Sequence, residues 1–166
     1  PKDDIDEVLG HGGVLDLLND WKRQGRIRYA GASAHDRDLA VQLIHSGKID
    51  LLMHRYNMAH RKSEERVMPE AQRAGVPILG FTATRWSTLM EGHPEWDGTV
   101  PDAADCYRFV LANPAVLATF TAPTTSSQLH DNLAALEGRT LTPNEREEWE
   151  RYGALVYGEG GDSFET

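Results

Sequence analysis

The chain has 166 residues and a mass of 18.5 kDa, with 40% hydrophobic and 26% charged residues. That is the length and balance of one soluble globular domain able to bury a core without staples. Twenty-six acidic and seventeen basic residues give a formal charge of −9, which argues against nonspecific binding to nucleic acid or an anionic membrane, both themselves negative. No apolar run approaches the ~20 residues of a membrane span, and PKDDIDEVLG lacks the basic start and apolar stretch of a secretion signal. The lone cysteine, Cys106, excludes a disulfide framework and a cysteine-rich zinc site. The expected compartment is the cytoplasm.

Residues 1–13 read as a polar segment, and residues 14–157 as the folded domain. GGVLDLLNDWKRQG predicts a helix with Leu15, Leu18 and Trp21 along one face and basic residues near its end. A β-prone run follows, Ile27 to Ser33. DRDLAVQLIHSG is the next helix, with Gly47 as its stop. The second β-prone run is Ile49 to Arg55. The helical pattern from Ser63 to Gly75 contains Pro69, which should kink or interrupt it. A third β-prone run, Pro77 to Ala83, precedes the helix AADCYRFVLANP, where Cys106, Phe109 and Val110 share a side and Cys106 reads as a small buried hydrophobe. The fourth run is Val116 to Ala122. SSQLHDNLAALEG then places Leu129, Leu133 and Leu136 at helical spacing, with Gly138 after the end. Thr142-Pro143-Asn144-Glu145 is a capping box with proline at the first helical position. Residues 158–166 read as a loose tail.

The β-prone runs are mostly apolar rather than alternating, as in parallel strands covered on both faces. Strict strand–helix alternation implies a parallel sheet with right-handed crossovers. An open doubly wound sheet binding a dinucleotide would show GxGxxG after its first strand, and none is present. The competing architecture is a (β/α)8 barrel, which needs eight units and ~250 residues; the single polar and aromatic residues after the strands favour it. With four units, the fold class is α/β, the second half (about strands 5–8) of a TIM-type barrel with a C-terminal helix.

Several segments, in order, resemble the aldo-keto reductase family. GRIRYAGASAHD is similar to its fifth-strand segment, and IDLLMHRYN to its sixth, which ends in a tyrosine–asparagine pair, here Tyr56 and Asn57. AGVPILGFTA resembles the seventh strand, RFVLANPAV with SSQLHDNLAALEG the eighth-strand region and its helix, and TPNEREEW the C-terminal helix. The resemblance spans roughly Val14 to Val156. It implies carbonyl reduction with NADPH or NADH in a complete protein. The family's Asp, Tyr, Lys, His tetrad belongs to the first half of the barrel, so no catalytic residue carries over.

The cofactor side does carry over, as what the resemblance implies. Ser33 falls where the family bonds the nicotinamide carboxamide, although Ala34 and Met53 replace its polar companions. Phe81 matches the aromatic stacked on the nicotinamide ring. Thr82 and Ala83 begin the loop over the pyrophosphate, with Arg85 in reach. Asp131 and Asn132 match the pair contacting adenine. Gln128 stands where many members place an arginine on the 2′-phosphate, which weakens the case for NADPH over NADH. Trp86 and Asn57 are candidate substrate residues.

Each residue also has a plainer reading. Ser33 could be a turn serine, Phe81 core, and Arg85 a surface arginine over Trp86. The Thr124 to Ser127 cluster could cap its helix without a ligand. Asn57 could fix the strand–helix turn. His35, His54 and His60 fit no zinc spacing, so no metal is expected. The expected ligands are a nicotinamide dinucleotide and, in a complete protein, a small carbonyl substrate. A non-catalytic half-barrel acting as a nucleotide-binding or interaction module is the alternative. In either case four strands leave two edges and an uncovered inner face, which predicts self-association or pairing with a complementary half-barrel.

Overall fold

The computed structural model describes residues 5–137 and 140–158. Helices α1 (Ile5–Leu9) and α2 (Val14–Arg23) precede strand β1 (Gly31–Ala34). There follow α3 (Arg37–His45), β2 (Leu51–Arg55), α4 (Val67–Ala74), β3 (Ile78–Phe81), α5 (Ala103–Leu111), β4 (Val116–Thr119), α6 (Ser126–Leu133) and α7 (Pro143–Tyr157). The segment expected to be merely polar contains α1, whose Val8 and Leu9 pack against the core. Of the expected loose tail, Gly158 caps α7 and residues 159–166 lie outside the described residues.

The β-prone runs are longer than the strands they form. The first was expected from Ile27, yet β1 begins at Gly31. Just before it, the Asp50 carboxylate accepts the Ala30 N–H at 2.8 Å while Asp50 N–H donates to the Ala30 carbonyl at 2.7 Å. A side chain thus takes the place of the ladder, and Tyr29 is left exposed. Pro69 interrupts the helical run rather than kinking it. A 3-10 turn over Lys62–Glu65 ends at Arg66, and α4 restarts with Pro69 as its third residue, where a missing N–H costs no helical bond. The last run divides too, into α6 and a 3-10 turn over Ala134–Leu136, and Gly138 lies outside the described residues. The capping box at Thr142 and Glu145 forms as read, and Asp102 with Asp105 makes another at α5.

The four strands are all parallel and lie in the order β1-β2-β3-β4. A doubly wound sheet reverses its strand order at a switch point; this one does not, and consecutive neighbours are what a barrel segment requires. The two faces differ sharply. Ala34, Leu52, Ile78 and Gly80 point to a face filled by Ala40, Val41 and Ile44 of α3, Met68 and Ala71 of α4, and Phe109 and Val110 of α5, all buried. A Cβ on Gly80 would sit 2.9 Å from Val110 Cγ1, so the helix approach requires glycine there. On the opposite face, Ser33, Met53, Leu79 and Ala118 are register partners across the sheet. Ser33 and Ala118 on that face are exposed.

Helix α7 lies over the loops that follow β2 and β3. A Cβ on Gly153 would stand 2.0 Å from the Met58 carbonyl oxygen, and the Tyr152 hydroxyl donates to the Leu89 carbonyl at 2.8 Å. No helix among the described residues is long and apolar enough to cross a membrane.

Candidate functional site

The C-terminal ends of parallel strands are where such folds assemble their sites. Here Ser33 lies in the last turn of residues of β1, exposed, and Phe81 ends β3, partly exposed, beside its register partner Arg55. The His35 ring meets the edge of Phe81 with centroids 5.3 Å apart. Ser33 and Phe81 therefore share the open face, Phe81 one layer further toward the rim.

Beyond β3 the backbone is strained. Thr82, Arg85, Trp86 and Ser87 all adopt left-handed φ values, 57°, 49°, 52° and 74°. Such a conformation costs a non-glycine residue ~1–2 kcal/mol and persists only where surroundings impose it. Asn57 Nδ2 donates to the Thr82 carbonyl at 2.8 Å, and Arg85 Nη1 donates to the Val156 carbonyl at the end of α7. Arg85 is thus tied to α7, Trp86 stands 66% exposed, and Ala83 is buried at the base of the loop.

Of the two readings of Asn57, substrate residue and turn residue, the hydrogen bonds support the second. Asn57 is fully buried, and its Oδ1 accepts from the backbone N–H groups of Ala59 and His60 and from His60 Nδ1. It fixes the turn after β2 and grips the loop after β3. Its neighbour Tyr56 is also buried. The Tyr56 hydroxyl donates to Glu64 Oε1, which also receives Arg146 Nη2 of α7 at 2.7 Å. Burial first, then the bond to Glu64 and its charge, pushes the phenol pKa up, so Tyr56 stays protonated.

At α6 the capping reading holds. The Thr125 side chain caps the helix, and Gln128 Oε1 accepts from Thr124 N at 2.8 Å and from Thr124 Oγ1 at 2.9 Å. Asn132 Nδ2 donates to Thr121 Oγ1 at 2.6 Å, tying α6 to the segment after β4, while Asp131 is exposed. The apolar stripe of this helix faces solvent: Leu129, Leu133 and Leu136 are 41%, 48% and 69% exposed. Cys106 is buried, as expected, and burial pushes its thiol up to about 12, which leaves it inert.

His35, His54 and His60 line one small cavity, yet no group of three or more His, Cys, Asp or Glu side chains among the described residues is placed to hold a metal ion. His54 is buried with Nδ1 donating to the Ala34 carbonyl at 2.7 Å, and burial lowers its pKa to about 4. Sequence reasoning did not see the Tyr56–Glu64–Arg146 tie, because Arg146 is 90 residues from Tyr56. The other lining residues of the cavity, Arg37, Arg55, Lys62 and Ser63, come from four separate positions and carry no common motif.

No protein-family model matches the chain, and neither does any curated protein sequence. Solved structures do match. The aldo-keto reductase AKR11C1 of Bacillus halodurans, in its holo form, superposes with a TM-score of 0.73 at 21% identity, over 89% of this chain and 58% of that one. Its apo form gives 0.72 at 22% identity. An aldo-keto reductase from Klebsiella pneumoniae in complex with NADPH gives 0.67 at 19%, over 84% of this chain and 53% of that one. The fold is that of an incomplete aldo-keto reductase barrel. The chain spans less than three fifths of the length of these reductases. Its four parallel units and C-terminal helix form an incomplete barrel with an open inner face.

Proposed function

We propose that this chain is the cofactor-binding half of an NAD(P)H-dependent oxidoreductase that reduces carbonyls when complete. The observation that carries the reading is the coincidence, at the C-terminal rim of one open sheet face, of the exposed Ser33 hydroxyl, the Phe81 ring and the strained loop after it. A nicotinamide coenzyme would lie with its carboxamide at Ser33 and its ring against Phe81. The loop of Thr82, Ala83 and Arg85 would run along the pyrophosphate, with Asp131 and Asn132 near adenine and Trp86 walling the substrate side. The coenzyme supplies hydride. The chain's own residues bind and orient it, while proton donation falls to a group outside this half. Gln128, uncharged and folded into its own cap, offers no cation for a 2′-phosphate, so NADPH and NADH should bind alike.

Titration with each coenzyme, followed by quenching of tryptophan fluorescence, tests this. Saturable binding weakened by about tenfold in Phe81→Ala is expected, the loss of one aromatic stacking contact with its burial. No saturable binding would leave the alternative, a non-catalytic interaction module. The isolated chain should not reduce an aldehyde; steady NADPH consumption would contradict the assignment. We further infer that the open face and the two free edges are covered in solution by a second copy or a complementary half-barrel. Light scattering showing a monodisperse 18.5 kDa species at all concentrations would rule out the first.

A further inference from the structure

In a chain of net charge −9, one cavity gathers three histidines, two arginines and a lysine with no acidic side chain in its lining. Its lining residues are His35 just beyond β1, Arg37 at the start of α3, His54 and Arg55 at the end of β2, and His60, Lys62 and Ser63 of the connection to α4. Its volume, about 20 Å3, holds one water-sized group. Ser63 is 2% exposed, and its hydroxyl has no hydrogen-bond partner among the described residues. An orphaned buried hydroxyl loses its hydrogen bonds to water without replacement, so it calls for an occupant. Arg37 makes no ion pair among the described residues. The Asp36 carboxylate accepts from Leu39 N at the start of α3.

We propose that this cavity is a carboxylate subsite, in which one oxygen of the carboxylate accepts from Ser63 Oγ while Arg37, Arg55 and Lys62 supply the opposing charge. Three permanent cations exclude a metal cation, and the volume suits one oxygen rather than a whole phosphate. The field agrees: after burial and the opposing Ala34 bond, the charges of His35, Arg55 and Arg37 also disfavour a proton on His54. His35 lines the cavity and touches Phe81. If the coenzyme lies at Phe81, which rests on the reading above, the subsite selects carbonyl substrates that also carry an acid group.

The same carboxylate chemistry has a second source within the chain. Residues 159–166 contain Glu159, Asp162 and Glu165. They follow Tyr157 and Gly158, and the Tyr157 ring lies 5.5 Å from the His60 ring and 5.6 Å from Lys62 Nζ.

The test needs no coenzyme, so its failure is separate from failure of coenzyme binding. Sodium acetate is titrated into the full chain while the His54 ring resonances are followed, with sodium chloride at matched ionic strength as the control. A second full-length chain carries Glu159→Gln, Asp162→Asn and Glu165→Gln. Saturable shifts with acetate are expected, with the midpoint raised about tenfold by Arg37→Gln and about threefold by Ser63→Ala, as for loss of a charge-assisted and a neutral hydrogen bond. Saturation at low acetate in both chains identifies a free acid as the ligand. Saturation only in the neutralised chain, again lost with Arg37→Gln, supports the subsite and identifies the chain's own segment as its occupant. No saturation in either chain, or midpoints unmoved by both substitutions, overturns the proposal.

Discussion

The two faces of the sheet are built from similar residues and have opposite fates. Leu52 and Ile78, on the helix side, are fully buried, whereas Ala118, on the inner side, and Phe120, just past β4, are exposed. Apolarity alone does not distinguish them, because both faces of a parallel strand in a closed barrel are meant to be covered. What differs is the partner. Helices that connect sequential strands are tethered to the sheet and cover one side of it. The other side of a barrel is covered only by strands from across the ring. With four strands present, the helix side is filled, and among the described residues Ser33 and Ala118 on the inner side are exposed. The stability of this chain should therefore reside on one face and its binding chemistry on the other.

The same side-chain type can break that division. Phe109, on α5, is fully buried against the helix-side core, and Phe120 projects past the end of β4. Phe109→Ala should cost about 3–5 kcal/mol, the usual penalty for a large cavity in a packed core. Phe120→Ala at low protein concentration should cost less than about 1 kcal/mol. Urea denaturation of the two variants measures the difference, and equal losses would mean that the inner face is as well packed as the outer.

A smaller effect concerns His54, the ionisable side chain that β2 sends to the buried face. Its pKa is lowered from the ordinary 6.5 to about 4, chiefly by burial. In the native state it stays neutral between these values, while the unfolded chain takes up the proton. Stability is thus fully present above pH 6.5 and falls as the pH drops toward 4, by about 2 kcal/mol at pH 5. The carboxylates held low by partners, Asp16, Asp50 and Glu70, lose their contribution only below their ordinary range near 4, so pH 5–7 isolates the histidine. His54→Asn, which keeps an N–H for the Ala34 carbonyl, should flatten the urea midpoint across that window. An unchanged slope would place the proton uptake elsewhere.

How much of this was legible beforehand follows from the range of each signal. The strand–helix alternation, the Thr142 cap and the burial of Cys106 are local, and periodicity with capping chemistry reported them. Strand ends were overestimated because propensity cannot know that Asp50 will take the Ala30 N–H. Leu129, Leu133 and Leu136 had helical spacing for a buried stripe, but a stripe is buried only if something meets it. Asn57 carried two readings, and only its hydrogen bonds to residues 2, 3 and 25 positions away separate them. The cationic cavity assembles residues that no spacing rule connects.

The smallest expected change in stability tests the exposed β4 edge. Leu117 follows the register irregularity between β3 and β4 and is 67% exposed. Leu117→Ser removes apolar surface that already meets water, so the urea midpoint should move by less than about 0.5 kcal/mol. If a second copy covers this edge, the same substitution removes buried surface from the contact, and the average mass at high concentration should fall toward 18.5 kDa. A variant that associates as the parent does places the contact elsewhere, for example beside β1, where Tyr29 is also exposed. A variant that loses several kcal/mol while still a monomer means that Leu117 is packed within its own chain, and the contrast between the two faces fails at this edge.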